Sequence, residues 1–576
     1  MELTMLSGFR TTMYKLGYAV FSALILYAIS LIAVDGLWAQ TPNCDFTVNV
    51  STSVFDGRSS PYNQVQPGDT VCISSGTRGT LTIKNISGTV TNPITFINSG
   101  GQVIFNTSSG YGFFIANAKH FRITGTGSPG FKYGIFVQKA LTFGLLLGLK
   151  SEYFEIDHLE FTELLGSTIA VHAITNASCP AISRANEAIR LNNDDWDYNG
   201  DGLYNELDVV SRDNFTQHNL FFHDNYFHGF TKADNTSSLQ LAYYIGNSNY
   251  STIPYTRSCN NPDGSVTTGV VVVNPVIEGV HIYNNVIDTL GDKTLQVGSA
   301  VKDCNIYNNS INKGGQDIAT DVHGININPG SVCDIYNNLI TNTKGHGITY
   351  GGDGGRIYNN VIANNTASSY WHDGIYVYVK PTGYQHNGNT IVVNNTIVNP
   401  AGYGITFAIN NGINANVIKN NIIINPGYGS SGYFNIPSAE SSEFFVSNNL
   451  TTLNISQVKF TNPAINDYSL QTSSLAVNSG ADLSAIGITD DYIGTIRPQG
   501  SAFDIGAYEF VFEQTPTPTT IPGDANGDGK VDGVDYLIWL NHYNQNSGNG
   551  VRDGDFNEDG TVNGVDYVIW LVSYNV

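Results

Sequence analysis

From residue 282 the chain repeats one short pattern of apolar and polar positions: Ile282-Tyr-Asn-Asn-Val-Ile287, Ile306-Tyr-Asn-Asn-Ser-Ile311, Ile335-Tyr-Asn-Asn-Leu-Ile340 and Ile357-Tyr-Asn-Asn-Val-Ile362. Val393-Asn-Asn-Thr-Ile397 and Lys419-Asn-Asn-Ile-Ile423 continue it, and successive Asn pairs are 24, 29, 22, 35 and 26 residues apart. Such a period, with additions of variable length, predicts a coil whose turns each give short strands to parallel sheets while loops bulge from the corners. Ile and Val on either side of each Asn pair would fill a narrow core. Asn tolerates a left-handed corner, and its amide can bond to the same amide one turn away, so the Asn residues are expected to be structural.

Weaker turns extend the coil upstream through His223-Asp-Asn-Tyr-Phe227, Glu155-Ile-Asp-His-Leu-Glu-Phe161 and Ala118-Lys-His-Phe-Arg-Ile123. The stretch from Phe46 to Ile97 reads as an opening cap with the first turns, and Ser474 to Glu509 as a closing segment, since an open end would expose strand edges. The whole pattern resembles the right-handed parallel β-helix family. The fold class expected is therefore all-β, a right-handed parallel β-helix solenoid, followed by a small α-helical calcium-binding module.

That module is written in the last 54 residues. Asp524, Asn526, Asp528, Asp532 and Asp535 stand at positions 1, 3, 5, 9 and 12 of a calcium loop, with the Lys530 carbonyl at 7 and Gly529 at the sharp turn. Asp555, Asn557, Asp559, Thr561, Asn563 and Asp566 repeat it 31 residues later. Ca²⁺ needs this crowd of hard oxygens to replace its hydration shell. Each loop runs into an amphipathic helix, Tyr536–Leu540 and Tyr567–Leu571. Two such units resemble a type I dockerin, which implies Ca²⁺ as cofactor and a cohesin-type receptor as partner. Gly533-Val534 and Gly564-Val565 replace the Ser-Thr often found where the receptor reads the loop. A third copy of the loop, Asp197, Asn199, Asp201, Leu203, Asn205 and Asp208, lies in an insertion near residues 194–210 and is expected to hold another Ca²⁺.

The chain is assigned as follows: residues 1–39 a signal peptide, 40–510 the coil with its caps, 511–522 a Pro/Thr linker, and 523–576 the calcium module. The signal reading rests on Arg10 and Lys15 before an apolar run from Leu16 to Val34 and on Leu37-Trp38-Ala39. That run is also long enough to remain as an anchor. The formal charge of −22 excludes nucleic acid as partner, because no basic surface is available to displace counterions. A secreted or surface-associated monomer is expected. Its six cysteines suggest three disulfides. Cys304 and Cys333 each stand four residues before an Asn pair, which puts them on adjacent turns about 5 Å apart. Cys44 with Cys72 and Cys179 with Cys259 follow by elimination.

Candidate chemistry comes from aligning turns on another repeat, the Gly-Ile of His323-Gly-Ile325, His346-Gly-Ile348, Asp373-Gly-Ile375 and Tyr403-Gly-Ile405. Residues at the first position would form a column spanning about 15 Å at about 4.8 Å per turn, with Asp321, Lys344 and His372 beside it. Imidazoles next to carboxylates and a lysine are suited to general acid and base work in β-elimination or glycosyl hydrolysis. Gly345-His346-Gly347 is similar to the Gly-His-Gly of polygalacturonases. The paired aspartates and final lysine of that family are missing, so its catalytic aspartates are not carried over. His158, His223 and His228 read as turn or groove residues rather than metal ligands.

Two readings follow. One is a secreted polysaccharide-active protein, lyase or hydrolase, acting on an acidic polymer and tethered by its module. The other is a non-catalytic surface or adhesion rod with the same anchoring module.

Overall fold

The computed structural model describes residues 42–108, 110–148, 151–162, 167–171, 216–230, 241–246, 255–260, 264–272, 276–291, 293–316, 322–367, 372–378, 388–408, 415–436, 443–512 and 521–574. The expected signal peptide, the calcium loop at 197–208, Asp321, Cys179, and the core of the Pro/Thr linker lie outside them, so the expected Cys179–Cys259 bond is not described. The chain divides into two compact units between Phe510 and Val511.

The first unit is a coil of three parallel sheets. Sheet A takes strands such as Ile277–Tyr283, Ala300–Tyr307, Cys333–Tyr336 and Gly355–Tyr358. Sheet B takes Val286–Asp288, Ser310–Asn312, Leu339–Thr341 and Val361–Ala363. Sheet C takes Leu295–Val297, His323–Ile327, His346–Tyr350, Ile375–Tyr378 and Ile405–Ala408. One residue per strand face points inward, and isoleucines such as Ile306, Ile335, Ile340, Ile348 and Ile375 stack in a fully buried core. Ile335 to Ile357 and Ile340 to Ile362 keep the register that the repeat dictates.

The A-to-B corner explains the Asn pairs, and the two residues divide the work. The first, from Asn284 through Asn308, Asn337, Asn359, Asn394, Asn420 and Asn448, holds φ between 53° and 55°, the left-handed conformation that makes the turn. The second points inside. Asn285, Asn309, Asn338, Asn360, Asn395 and Asn421 each donate from Nδ2 to the next amide oxygen at 2.9–3.0 Å, and each also bonds to backbone carbonyls. A row of buried amides that satisfy one another meets the requirement that buried polar groups be paired.

Disulfides join Cys304 to Cys333, with α-carbons 4.5 Å apart on adjacent turns, and Cys44 to Cys72, at 5.5 Å. Residues 453–510 fold back along the outside of the last turns. Val458, Phe460, Tyr468, Ile505 and Ala507 cover Val361, Val398, Ile422 and Ile424 of sheet B, and Leu483, Ile488 and Phe503 cover Tyr358 and Val393 of sheet A. A buried pair, Arg497 with Glu509 at 2.8 Å, ties this segment together.

In the second unit the helices span Gly533–His542 and Gly564–Ser573, starting three residues earlier than the apolar pattern predicts because Asp532 and Asn563 cap them with full capping boxes. The Trp539 indole donates to Asn563 O at 3.0 Å and that of Trp570 to Asp532 O at 2.9 Å, a reciprocal exchange between the two copies.

Candidate functional site

Connection lengths single out one sheet. From His223 to Leu450 every A-to-B corner has two residues, as in 284–285, 337–338 and 420–421. All the variable connections border sheet C. On one side lie 229–242, 313–322 and 364–374; on the other lie 172–216, 246–276 and 379–389. Connections of variable length at both ends of its strands make sheet C the candidate floor of a site.

Sheet C carries the expected column. His323 pairs in register with His346, and their rings stack at 5.5 Å. The His346 ring also stacks on Tyr376 at 4.5 Å, and its Nδ1 accepts the Asp373 backbone N–H at 2.8 Å. A neutral His346 therefore carries its proton on Nε2. Its Nδ1 is 3.9 Å from the Asp373 carboxylate, which accepts the Tyr403 N–H at 2.8 Å. Burial raises the Asp373 carboxyl above its ordinary pKa, against the lowering effect of bonds from Tyr403 and Thr406 and the charge of His372. The structure thus brings His323, His346 and Asp373 together. It places Lys344 two residues before His346, bridged to Thr366, while Asp321 lies outside the described residues.

Glycine follows each column residue for a steric reason. A Cβ on Gly347 would stand 2.6 Å from Ile362 Cγ2, and one on Gly374 2.6 Å from Ile397 Cγ2, both core atoms of sheet B. The column is also more enclosed than an open groove would leave it: His323 and His346 are 2% exposed and Asp373 4%. Beside it a second outer column runs Gln296, Asn326, Thr349, Tyr376 and Thr406, polar throughout and, except for Tyr376, buried.

Two groups were not foreseen. Lys293 occupies the column position one turn above His323, since Leu295 pairs with Ile325 and the Thr294 N–H bonds to His323 O at 2.9 Å. Its turn reads Thr294-Leu295 where the others read Gly-Ile, which hides it from the alignment. The other group sits on sheet A. The Asp157 carboxylate receives Arg122, His158 and Thr124 at 2.6–3.1 Å, and these bonds outweigh its burial to bring its pKa down to about 2. His223 lies between Glu155, 2.9 Å from Nε2, and Asp224, 2.7 Å from Nδ1. Burial opposes its charge, but the two carboxylates prevail and push its pKa up to about 9. Glu155, Asp157 and His223 have ligand atoms within 4.8 Å of one another, but Arg122 and the His223 imidazolium already balance these acids.

A pH effect follows. A pKa raised from about 6.5 to about 9 contributes stability that is fully present below the unfolded value and is lost as pH rises through the folded one. Between pH 7 and 10 the wild type should lose thermal stability by a margin that His223→Gln does not show; equal losses in differential scanning calorimetry would rule this out.

The calcium loops have the donors a hard cation needs. Asp535 and Asp566 are fully buried, each accepting three backbone N–H groups at 2.8–3.1 Å in matching patterns. Around them Asp524, Asn526 and Asp528, and Asp555, Asn557 and Asp559, crowd further oxygens into each loop. Such concentrated, partly buried negative charge fits a bound divalent cation.

A three-sheet parallel coil with fixed Asn corners, joined in sequence to paired loop-helix units, defines a right-handed parallel β-helix protein with a type I dockerin-like module. Residues 318–451 match the family described as right handed beta helix region, and residues 522–570 that described as dockerin type I domain. A search of the curated proteins finds no match. Among solved structures, similarity extends to pectate lyase Pel9A at 14% identity, covering 81% of this chain and 97% of that one with a TM-score of 0.35. An alginate lyase from Paenibacillus sp. str. FPU-7 is 14% identical, over 70% of this chain and 99% of that one, with a TM-score of 0.30.

Proposed function

We propose that this is a secreted polysaccharide-active β-helix protein, a lyase or glycoside hydrolase, tethered by its calcium-loaded module to a cohesin-type receptor. The observation that carries the reading is the collection of His323, His346 and Asp373 in one column on the sheet that the variable loops flank. Lys344 and Asp321 adjoin the column in sequence and belong to the same proposed set. His346 offers a protonated Nε2, and Asp373, favoured in its acid form by burial, is suited to donate a proton to a departing sugar oxygen. The Ca²⁺ proposed for residues 197–208 would sit in the insertion 172–216 that borders this sheet. In the C-terminal module, Val534 and Val565 are about half exposed on the two helices and offer the receptor an apolar contact in each copy.

The test is release of unsaturated or reducing ends from a polysaccharide panel at millimolar Ca²⁺. His323→Ala/His346→Ala should lose activity by a factor of about 100 or more, and wild-type activity should fall as pH rises through the raised Asp373 pKa, a limb absent in Asp373→Asn. Activity unchanged in the double variant would remove the column from the reaction. The near-complete enclosure of the column favours a second reading, a non-catalytic rod; a folded, calcium-loaded protein inactive on every polymer would establish it.

A further inference from the structure

We propose that Tyr428, backed by Tyr403 and His372, is a stacking platform for a pyranose ring of the polymer, at the end of the sheet C column beyond Asp373. This rests on the placement of the site on sheet C. Tyr403 follows Asp373 at the next column position, since Ile375 pairs with Ile405 and the Tyr403 N–H bonds to the Asp373 carboxylate at 2.8 Å. The Tyr428 ring leans on that of Tyr403, with centroids 4.6 Å apart, and its hydroxyl is 2.7 Å from His372 Nε2. Whereas His323, His346 and Asp373 are enclosed, Tyr428 is 48% exposed. A single exposed tyrosine is ordinary on a protein surface. This one is held at its ring and at its hydroxyl by residues that adjoin the column.

The backbone beneath the ring is equally fixed. Tyr428 opens the short 3-10 turn Gly429–Ser431, and its carbonyl accepts the Ser431 hydroxyl at 2.8 Å. The Gly427 N–H bonds to Pro400 O and Gly402 O, both at 2.9 Å, and the Gly402 N–H to His372 O at 2.8 Å, so three successive turns are joined at this corner. They come this close because two of the residues lack side chains: a Cβ on Gly402 would collide with His372 and Asp373, and one on Gly427 with Ala401 O. A ring already held in place loses little freedom on binding, and tyrosine offers a flat apolar face with a polar tip. A pyranose has C–H groups on its faces and hydroxyls at its rim, the complement of that surface whether or not it carries a carboxylate. Tyr403 stands two turns, about 10 Å, from His346, so the platform takes a sugar beside the reacting one. Tyr428 is therefore a binding residue and not a catalytic one, and its loss falls on KM more than on kcat.

Affinity electrophoresis of the full chain at millimolar Ca²⁺, in gels containing a polyuronate or a neutral glucan, reads binding without catalysis. Tyr428→Ala should weaken retardation about tenfold in each gel that retards the wild type, the effect of one lost ring contact. Tyr428→Phe keeps the ring and gives up the bond to His372, and should stay within about threefold of the wild type. Both variants should melt with the wild type, since the residue lies at the surface, which separates lost binding from lost folding. On a cleaved polymer the Tyr428→Ala defect should appear in KM with kcat nearly intact. Equal retardation of Tyr428→Ala and wild type, a Phe variant as weak as the Ala variant, or no retardation of the wild type by either gel overturns the inference. Retardation lost in Tyr428→Ala, with no polymer cleaved by the wild type, leaves the platform standing and removes the enzyme reading instead.

Discussion

Removal of Ca²⁺ from the full chain should unfold the C-terminal module while the coil persists. Six hydrophobic residues, Ala525, Val531, Trp539, Phe556, Val562 and Trp570, are the buried core of this unit. A core so small does not hold a domain of this size together without a further source of stability. The loops meanwhile bury Asp535 and Asp566 completely, each with three backbone N–H groups, and a bound cation would offset the remaining cost of that burial. With chelator, the emission of Trp539 and Trp570 should shift to the red and their near-ultraviolet circular dichroism should vanish, while the far-ultraviolet strand signal stays. Asp566→Ala should imitate chelation in part, weakening calorimetric Ca²⁺ uptake by one loop. Retention of the tryptophan signal in chelator would mean that the module folds on its apolar contacts alone.

The second large effect is expected at the inner Asn row. Asn338→Asp keeps the shape but replaces three donor contacts, to Ile306 O, Tyr336 O and Asn360 Oδ1, with a carboxylate in a fully buried position. Its backbone neighbours lose partners above and below. At about 1–3 kcal/mol for each buried group left unpaired, the loss should reach about 4 kcal/mol or more at pH 7. Asn337→Gly, one residue earlier, should cost under about 1 kcal/mol, because its φ of 54° suits glycine and its role is to turn the chain. Urea unfolding of the two variants side by side measures the contrast, and similar midpoints would contradict the division of roles within the pair.

The coil was legible because its rules are local. Each turn repeats Ile, Asn, Asn and Ile at fixed offsets, and only one geometry satisfies the inward isoleucines and the left-handed Asn together. The His323 and His346 column was legible for an indirect reason: glycine is forced at the next position by Ile340, Ile362 and Ile397, so the motif marks register even though it carries no chemistry. Where Thr294 replaces that glycine the marker disappears, and Lys293 went unseen. The Arg122, Asp157 and His223 group was hidden for another reason. His223 is 66 residues beyond Asp157, across the insertion at 172–216, and no periodicity survives an excursion of that length. The enclosure of the column was equally out of reach, since it depends on what covers a sheet and not on what the sheet is made of.

The constant two-residue corner also governs how such a chain can change over generations. A residue gained or lost there would displace the amide row and the tyrosine stack of Tyr283, Tyr307 and Tyr336 on every later turn, so an indel at that edge should be costly. The connections that border sheet C open on an outer Asn ladder, Asn342 to Asn312 at 2.9 Å and Asn399 to Asn364 at 2.8 Å, but beyond it their lengths vary up to the whole of 172–216. Heritable novelty is thereby channelled to one side of the molecule: lineages can acquire new ligands by lengthening loops around an unchanged spine.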